Sequence, residues 1–305
     1  MSAHIAAIDI GTNSVLMLLS RAAGAGRFVT VSDRAEVTRL GEGLDRSGIL
    51  SPQAIERTLA TLGRFAAEAH GYEAKMVAVG TSALRDASNA SELLEPAGRI
   101  LGVDIQVITG EREAVLAFRG ALLGLDLDQA EVTVVDVGGG SVEVTQGTGD
   151  RLAKSASIRL GAVRLLERCN PGSPATAEQL AAMQARAAAD LDRSRIAIRG
   201  QLIAVGGTAT TAAAVLEGLG VYDPDRIHGR RTTREELEGL LIRLAGMPLE
   251  ERNGLKGLQK GREDVIVPGI VILHEVLRIA GSGFLSISTG GIRVALTAEA
   301  SRGCA

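Results

Sequence analysis

Two glycine-containing segments carry the residue types that proteins use to bind phosphate groups. The first consists of Gly11, Thr12, Asn13 and Ser14. The second consists of Gly138, Gly139, Gly140 and Ser141. Glycine lets the backbone approach a ligand closely, and successive N–H groups in a turn give fixed donors for an anion. A plain β-hairpin turn would explain the same residues, but the recurrence of the pattern favours substrate binding by both segments.

The two segments belong to an internal repeat. Residues 5–15 read I-A-A-I-D-I-G-T-N-S-V and residues 132–142 read V-T-V-V-D-V-G-G-G-S-V, at an offset of 127. Residues 76–83 and 202–209 read M-V-A-V-G-T-S-A and L-I-A-V-G-G-T-A, at an offset of 126. Two landmarks at nearly the same offset indicate two tandem copies of one α/β fold. Each copy starts with a strand apolar enough to be buried on both faces.

The repeat also predicts the domain boundaries. A chain of 305 residues suits two domains of about 150 residues each, and we place them at 1–125 and 126–305 with a cleft between them. The second copy is longer and contains extra helices. Thr176 and Thr233, each followed three residues later by Gln or Glu, predict capping boxes at the start of two helices. A C-terminal helix over about 292–301 could pack back on the first domain.

The second glycine segment also predicts a pair of acids. If residues 138–141 form the turn, Val137 pairs with Val142 and Asp136 pairs with Glu143. Two carboxylates directly opposite each other repel, and a shared divalent cation such as Mg²⁺ relieves that repulsion. Leu16 stands at the equivalent place in the first copy. The alternative is a different register, in which Glu143 faces solvent.

Two further acids are candidates for chemistry. Asp9 ends the first strand, as the acid of the second copy does, and is a further candidate metal ligand. Glu113 lies in the first turn of a helix predicted over 111–122 and is a candidate general base. A negative charge there also compensates the helix dipole, and Glu111 fulfils that role equally well. The residues alone do not choose between these two glutamates.

Arginines beside predicted turns are candidates for binding phosphate, because a guanidinium group donates to two oxygens at once. They are Arg39, Arg85 and Arg159. Most arginines are solvated surface residues, so it is the position next to a turn that selects these three. A further glycine turn follows residues 202–205, and its Gly207 and Thr208 are candidate substrate ligands. Simple packing of a helix on a sheet would explain that turn as well.

Composition excludes several classes of function. The formal net charge is −3 and the chain has no Trp, two Tyr and four Phe, so neither a basic field nor a stacking surface for nucleic acid is expected. No apolar run approaches the ~18 residues of a membrane span. Cys169 and Cys304 lack metal-ligand spacing, as expected for a reduced protein of the cytoplasm. The absence of HExxH, GxSxG and Walker A sequences disfavours zincins, serine hydrolases and P-loop enzymes.

A set of segments spread over the chain resembles a known family. In order, between about residue 5 and about residue 298, they are A-I-D-I-G-T-N-S, V-T-R-L-G-E-G-L, G-T-S-A-L-R-D-A, V-I-T-G-E-R-E-A, V-V-D-V-G-G-G-S-V-E, I-R-L-G-A-V, A-V-G-G-T and R-E-D-V-I-V-P-G. The set is similar to that of the Ppx/GppA phosphatases. The resemblance implies two actin-like (RNase H-like) domains with the active site in the cleft between them.

The resemblance also implies a reaction. It is hydrolysis, with Mg²⁺, of the terminal phosphoanhydride of inorganic polyphosphate or of the 5′-phosphate of guanosine pentaphosphate. The family's general base is the second Glu of G-x-E-E-A, here residues 110–114, so that role falls on Glu113. The metal-associated acids fall on Asp136 and Glu143, and the phosphate-binding arginine falls on Arg85.

The chain departs from the family pattern at three points. Arg112 replaces the first Glu of G-x-E-E-A, which adds positive charge beside the predicted base. Thr289 stands where many members have Asp. The sequence stops at residue 305, whereas long members continue into a helical domain, so the resemblance is to the short form. A homodimer is possible.

Among the substrates, polyphosphate is favoured over guanosine pentaphosphate because no aromatic residue near the motifs is available to stack on guanine. Tyr72 and Tyr222 lie outside the motifs, and Phe118 is expected to face the core. One alternative class is an actin-like kinase or ATPase, which the segment G-E-R-E-A disfavours. Another is a non-catalytic guanosine tetraphosphate sensor, which the presence of Glu113, Asp136 and Glu143 disfavours.

Overall fold

The chain divides into two compact units. The computed structural model describes residues 3–23, 25–125, 127, 130–149 and 151–302, so Cys304 and the predicted domain start at residue 126 lie outside the described residues. One unit contains the residues up to Leu116 together with those from Ile292 onward, and the other contains Ala117–Gly291. The division therefore falls inside a helix and earlier than residue 125.

The first unit is built on a five-stranded sheet. Its strands are β1 (His4–Ile10), β2 (Ser14–Ala22), β3 (Phe28–Val37), β4 (Lys75–Gly80) and β5 (Ile105–Val107). Its helices are α1 (Leu44–Ser47), α2 (Pro52–Gly71), α3 (Ser82–Asp86), α4 (Ser91–Leu101) and the start of α5 (Gly110–Leu122). The strand order is β3-β2-β1-β4-β5. β2 is antiparallel to β1 and β3, whereas β4 is parallel to β1 and β5.

The second unit is built on a six-stranded sheet. Its strands are β6 (Glu131–Val137), β7 (Val142–Thr148), β8 (Arg151–Ile158), β9 (Gln201–Val205), β10 (Arg231–Thr233) and β11 (Phe284–Ile287). Its helices, after the end of α5, are α6 (Ala162–Cys169), α7 (Ala177–Arg193), α8 (Gly206–Leu216), α9 (Pro224–Ile227), α10 (Arg234–Ala245), α11 (Leu249–Arg252) and α12 (Ile266–Ala280). The last helix, α13 (Ile292–Arg302), belongs to the first unit and contacts β1, β2 and β3.

The two sheets share one topology. The order β8-β7-β6-β9-β11 in the second unit repeats β3-β2-β1-β4-β5 in the first, with the same strand directions. The additional strand β10 pairs antiparallel with β11 at the edge. The predicted fold class, a tandem pair of α/β domains of the actin-like kind, is confirmed.

Several predicted helix starts are also present. The Ser51 hydroxyl accepts a hydrogen bond from Ala54 N at 3.2 Å, with Pro52 in the first helical position of α2. The capping boxes at Thr176 and Thr233 open α7 and α10 with both reciprocal bonds. Within the described ranges, no helix is both long and apolar enough to cross a lipid bilayer.

Candidate active site

Both glycine segments form tight β-hairpin turns of the same geometry. Gly11 N–H donates to Ser14 O at 3.0 Å, and Gly138 N–H donates to Ser141 O at 3.0 Å. The first turn joins β1 to β2 and the second joins β6 to β7. The hairpin interpretation and the phosphate-binding interpretation are therefore compatible, because one backbone geometry serves both. We call the two turns, after the ligand that the sequence predicts for them, the first and the second phosphate loop.

The carbonyl groups of the first phosphate loop are held from one side. Gly41 N–H donates to Thr12 O at 2.8 Å. Asn13 O accepts from Thr38 N at 3.0 Å and from Arg39 N at 2.9 Å. Arg39 has a left-handed backbone with φ 52°. In a planar trans peptide the N–H group points opposite to the C=O group, so the amides that follow these carbonyls face away from the supporting segment.

Carbonyl groups of the second phosphate loop are also held from one side, here by the start of α6. Ala162 N donates to Gly138 O at 2.9 Å. Gly139 O accepts from Val163 N at 2.9 Å and from Arg164 N at 3.1 Å. The next amides along the loop therefore point away from α6. Successive amides that point in one direction form an anion-binding concavity.

A third internal repeat, which the sequence analysis missed, lies against both loops. Residues 39–41 and 159–161 both read R-L-G, at an offset of 120. The leucine of each is buried. A methyl group at the first glycine would lie 2.3 Å from Thr12 Cγ2, and one at the second would lie 2.3 Å from Gly139 O. Each R-L-G therefore packs its glycine directly against a phosphate loop, and the shared three-letter pattern was the signal that could have shown it.

The acid pair of the second unit lies as the sequence predicts. Asp136 and Glu143 are directly opposite on β6 and β7. Glu143 is only 1% exposed and accepts a hydrogen bond from the Ser157 hydroxyl at 2.7 Å, so the alternative of a solvent-facing Glu143 is wrong. Asp136 packs on the backbone of Gly206, where a methyl group would lie 2.4 Å from its Oδ1.

The donor set of this acid pair suits Mg²⁺. Among the described residues, no group of three or more His, Cys, Asp or Glu side chains could enclose a metal. Mg²⁺ usually takes one or two carboxylates and completes its octahedron with water and phosphate oxygens. Two opposed carboxylates therefore fit this ion better than one that needs a full protein cage. In the first unit, Asp9 is buried opposite Leu16, which confirms that the first copy lacks the second acid.

The predicted base is paired with a predicted phosphate ligand. Glu113 is 6% exposed, and Arg85 Nη1 donates to its Oε2 at 2.5 Å. The same Nη1 donates to Ile108 O at 2.9 Å, so Arg85 joins the end of β5 to the first turn of α5. Burial raises the pKa of Glu113, and the positive charge and hydrogen bond of Arg85 oppose that rise. The prediction that Arg85 binds substrate phosphate stays a prediction.

Burial distinguishes the two candidate glutamates. Glu111 is exposed, and hydrogen bonds to its own backbone amide and to Thr109 lower its pKa. Glu113 is buried and has a raised pKa. A carboxylate with a raised pKa is the better proton acceptor, so the structure favours Glu113.

Two departures from the family pattern have partners within their own units. Arg112 Nη2 forms an ion pair with Glu299 Oε2 of α13 at 2.5 Å. The expected extra positive charge beside the base is thus compensated by an acid. In the second unit, Thr289 N lies 3.3 Å from His228 Nδ1, so this residue is held by a histidine.

The third glycine turn brings in an arginine that the sequence analysis did not select. Gly207 is so close to Arg262 that a methyl group there would lie 2.3 Å from both terminal nitrogens of the guanidinium. Arg262 is buried, and burial lowers its pKa to about 10. Thr208 is also buried and packs against Gly269 of α12. Asp136 packs on the neighbouring Gly206. The same turn therefore contacts both the buried guanidinium of Arg262 and one carboxylate of the acid pair.

Two of the predicted arginines differ in surroundings. Arg39 is half-buried beside the first phosphate loop, which its backbone supports. The Arg159 residue is exposed, and its carbonyl accepts a hydrogen bond from Arg168 at 3.2 Å. The segment I-R-L-G-A-V thus contacts the second phosphate loop mainly through its glycine and its backbone amides.

Comparison with known proteins gives the family. The profile of the Ppx/GppA phosphatase family matches residues 19–299. The chain belongs to this family. Exopolyphosphatase 2 of Mycobacterium tuberculosis is 33% identical over 288 residues, which cover 90% of each chain. The structure of the Aquifex aeolicus Ppx/GppA family member superposes with a TM-score of 0.82 at 29% identity, covering 98% of each chain.

A third relative agrees with these two. The crystal structure of an exopolyphosphatase-like protein superposes with a TM-score of 0.92 at 30% identity, covering 99% of this chain and 98% of the other. The family profile and these relatives identify this Ppx/GppA member as a hydrolytic enzyme.

Proposed function

We propose that this Ppx/GppA member releases orthophosphate from the end of inorganic polyphosphate by hydrolysing the terminal phosphoanhydride bond. The observation that carries the proposal is the support of both phosphate loops, whose carbonyls are bound on one side so that the following amides face the other. Such amides bind phosphate oxygens without regard to what else the substrate carries. The name of the Mycobacterium tuberculosis relative, exopolyphosphatase 2, agrees with this substrate.

Glu113 is the proposed general base. It takes a proton from the attacking water while the water oxygen bonds to the terminal phosphorus. The bond from that phosphorus to the bridging oxygen breaks, and the shortened chain leaves with the bridging oxygen. Burial of Glu113 raises its proton affinity, whereas Arg85 favours its ionised form, and a base needs both properties near neutral pH.

Asp136 and Glu143 are proposed to hold a divalent cation, most suitably Mg²⁺, because they are opposed, partly or fully buried and short of a complete protein cage. Bound there, the cation would neutralise charge on phosphate oxygens. Electrostatic stabilisation and positioning supply most of the rate in phosphoryl transfer. Arg262 and the amides of the phosphate loops would add fixed positive potential in the same role.

The lack of aromatic residues in the two phosphate loops supports polyphosphate over a guanine nucleotide. Phe65 and Phe118 are buried in the cores, as expected for the latter. Phe284 is covered by the guanidinium of Arg231, 4.1 Å from the ring centroid. Tyr72 packs edge-on against His4. None of these rings lies in a phosphate loop, so a guanine base would find no stacking partner in the loops themselves.

The deciding experiment measures phosphate release from polyphosphate and from guanosine pentaphosphate side by side at matched ionic strength, with and without EDTA. We expect the higher kcat/KM on polyphosphate and loss of activity with EDTA that Mg²⁺ restores. A preference for guanosine pentaphosphate would overturn the substrate and leave the chemistry intact. Binding of either compound without phosphate release would make the protein a sensor instead of an enzyme.

A further inference from the structure

Arg164 is a buried arginine that supports the second phosphate loop with its side chain as well as its backbone. It is 5% exposed and lies in the first turn of α6. Its Nε donates to Gly140 O at 2.8 Å, while its amide donates to Gly139 O at 3.1 Å. It therefore binds two successive carbonyls of one loop.

The internal repeat provides a natural control for this residue. Residues 39–44 read R-L-G-E-G-L and residues 159–164 read R-L-G-A-V-R, so Leu44 stands at the same distance from the shared R-L-G as Arg164, although Leu44 begins α1 and Arg164 is the third residue of α6. Leu44 is also buried and belongs to the hydrophobic core of its unit. Burial of a guanidinium group requires hydrogen bonds to offset desolvation, which leucine avoids. The first copy thus forms its loop with a leucine at this sequence position.

The difference between the loops shows what the arginine adds. In the first copy, the carbonyl of Asn13 already accepts two backbone amides, those of Thr38 and Arg39. The corresponding loop residue in the second copy is Gly140, whose carbonyl accepts from the Arg164 side chain. Glycine tolerates many more backbone conformations than asparagine. A run of three glycines thus needs an external donor to select one peptide orientation.

We propose that Arg164 is a positioning residue for phosphate binding. By fixing the carbonyl of Gly140 toward α6, it fixes the amide N–H of Ser141 in the opposite direction, since both belong to one planar trans peptide. The amides of Gly139 and Gly140 are oriented likewise, because the start of α6 binds the carbonyls of the residues before them. With the Ser141 amide, the loop then presents three N–H donors to one phosphate. The inference rests on the proposed function of the loop as a phosphate-binding element.

The test replaces Arg164 of the second copy with leucine, the residue at position 44 of the first copy. Arg164→Leu is compared with Arg164→Lys and with Arg186→Leu, which removes one positive charge at a half-exposed site that pairs with Asp190. Binding of tripolyphosphate is measured by titration calorimetry, kcat and KM by phosphate release, and Tm by thermal unfolding. The dissociation constant separates loop function from chemistry, because it does not depend on turnover.

We expect Arg164→Leu to weaken tripolyphosphate binding and raise KM by about ten- to a hundredfold, the usual effect of losing a hydrogen bond to a charged group. The kcat should change much less, because the loop binds substrate and transition state alike. Loss of the hydrogen bond to Gly140 O should also lower Tm, so the variants are compared at a temperature at which each is folded. Arg164→Lys, with one ammonium donor, should recover part of the affinity, and Arg186→Leu should leave it unchanged.

Wild-type affinity in Arg164→Leu would overturn the proposal, and so would an equal loss in Arg186→Leu, which would indicate a general charge effect. If Arg164→Leu does not fold, Arg164→Gln decides in its place. Its neutral amide is expected to raise KM, and a wild-type KM would overturn the proposal. Tripolyphosphate binding without phosphate release would refute the proposed function and leave the role of Arg164 standing.

Discussion

Gly161→Ala tests whether the position of the second phosphate loop controls activity. The backbone of Gly161 is extended, with φ −162° and ψ 166°, so alanine introduces no backbone strain. Its methyl group would lie 2.3 Å from Gly139 O, 2.5 Å from Gly139 C and 2.6 Å from Gly140 N. Non-bonded carbon contacts are ordinarily about 3.5–4.0 Å, so the loop backbone has to withdraw by about 1 Å.

This displacement predicts the size of the effect. A misplacement of about 1 Å can cost roughly 100-fold in rate, and we expect kcat/KM for polyphosphate to fall by about that factor. Overpacking typically costs about 1–3 kcal/mol of stability. Since 1 kcal/mol shifts Tm by about 2–4 °C in a domain of this size, Tm should fall by roughly 2–12 °C. Phosphate release and thermal unfolding measure the two effects separately.

Two further glycines serve as controls. At Gly41, the first-copy equivalent, the methyl group would contact Thr12 Cγ2 at 2.3 Å, and because this is a side-chain atom that can rotate, the loss should be smaller. At Gly239 in α10, the methyl group would meet no heavy atom of the described residues within 4 Å. Alanine there should stabilise the helix by about 0.5–1 kcal/mol with unchanged activity. Wild-type kcat/KM in Gly161→Ala would refute the claim that loop position controls the rate.

Four other outcomes are expected. Glu113→Gln should lower kcat by about 10²–10⁴-fold with an intact fold, because the amide cannot accept the proton; near-wild-type activity would remove it from the mechanism. Arg85→Met removes the cation that lowers the pKa of Glu113. The pKa of Glu113 should therefore rise, and the acidic limb of the kcat–pH profile should move to higher pH. A shift to lower pH would contradict this pairing. Asp136→Asn and Glu143→Gln should each raise the Mg²⁺ concentration needed for half-maximal activity, and an enzyme that works in EDTA would rule out the metal site. Finally, KM for polyphosphate should rise with added salt, since exposed charges are screened over about 8 Å at physiological ionic strength; a salt-independent KM would show that charge does not dominate binding.

The sequence alone determined the features that depend on residues close together in the chain. The turn at 138–141 placed Asp136 opposite Glu143, because a tight hairpin leaves only one register for its neighbours. The helix starts at Thr176 and Thr233 followed from a side chain and a backbone amide three positions apart. The duplication followed in the same way, since two similar patterns of strand and turn specify two similar sheets.

Only the tertiary structure decided how the candidate residues are buried and paired within each unit. Residue chemistry alone left Glu111 and Glu113 as equal candidates, the family resemblance implied Glu113, and burial distinguished them in the folded unit. It treated Arg112 as an extra cation near the base, whereas the folded unit pairs it with Glu299. It did not single out Arg262, which packs on a glycine turn far away in the chain.

The physical reason is the range of the interactions. Capping and hairpin register are set by backbone geometry over a few residues. An ion pair such as Arg85 with Glu113, 28 positions apart, exists only after β5 and α5 have packed beside α3. A pKa shift likewise depends on how completely the surrounding elements exclude water. The residue types of this site are therefore visible in the sequence, while their charge states and partners arise from the packing of its elements.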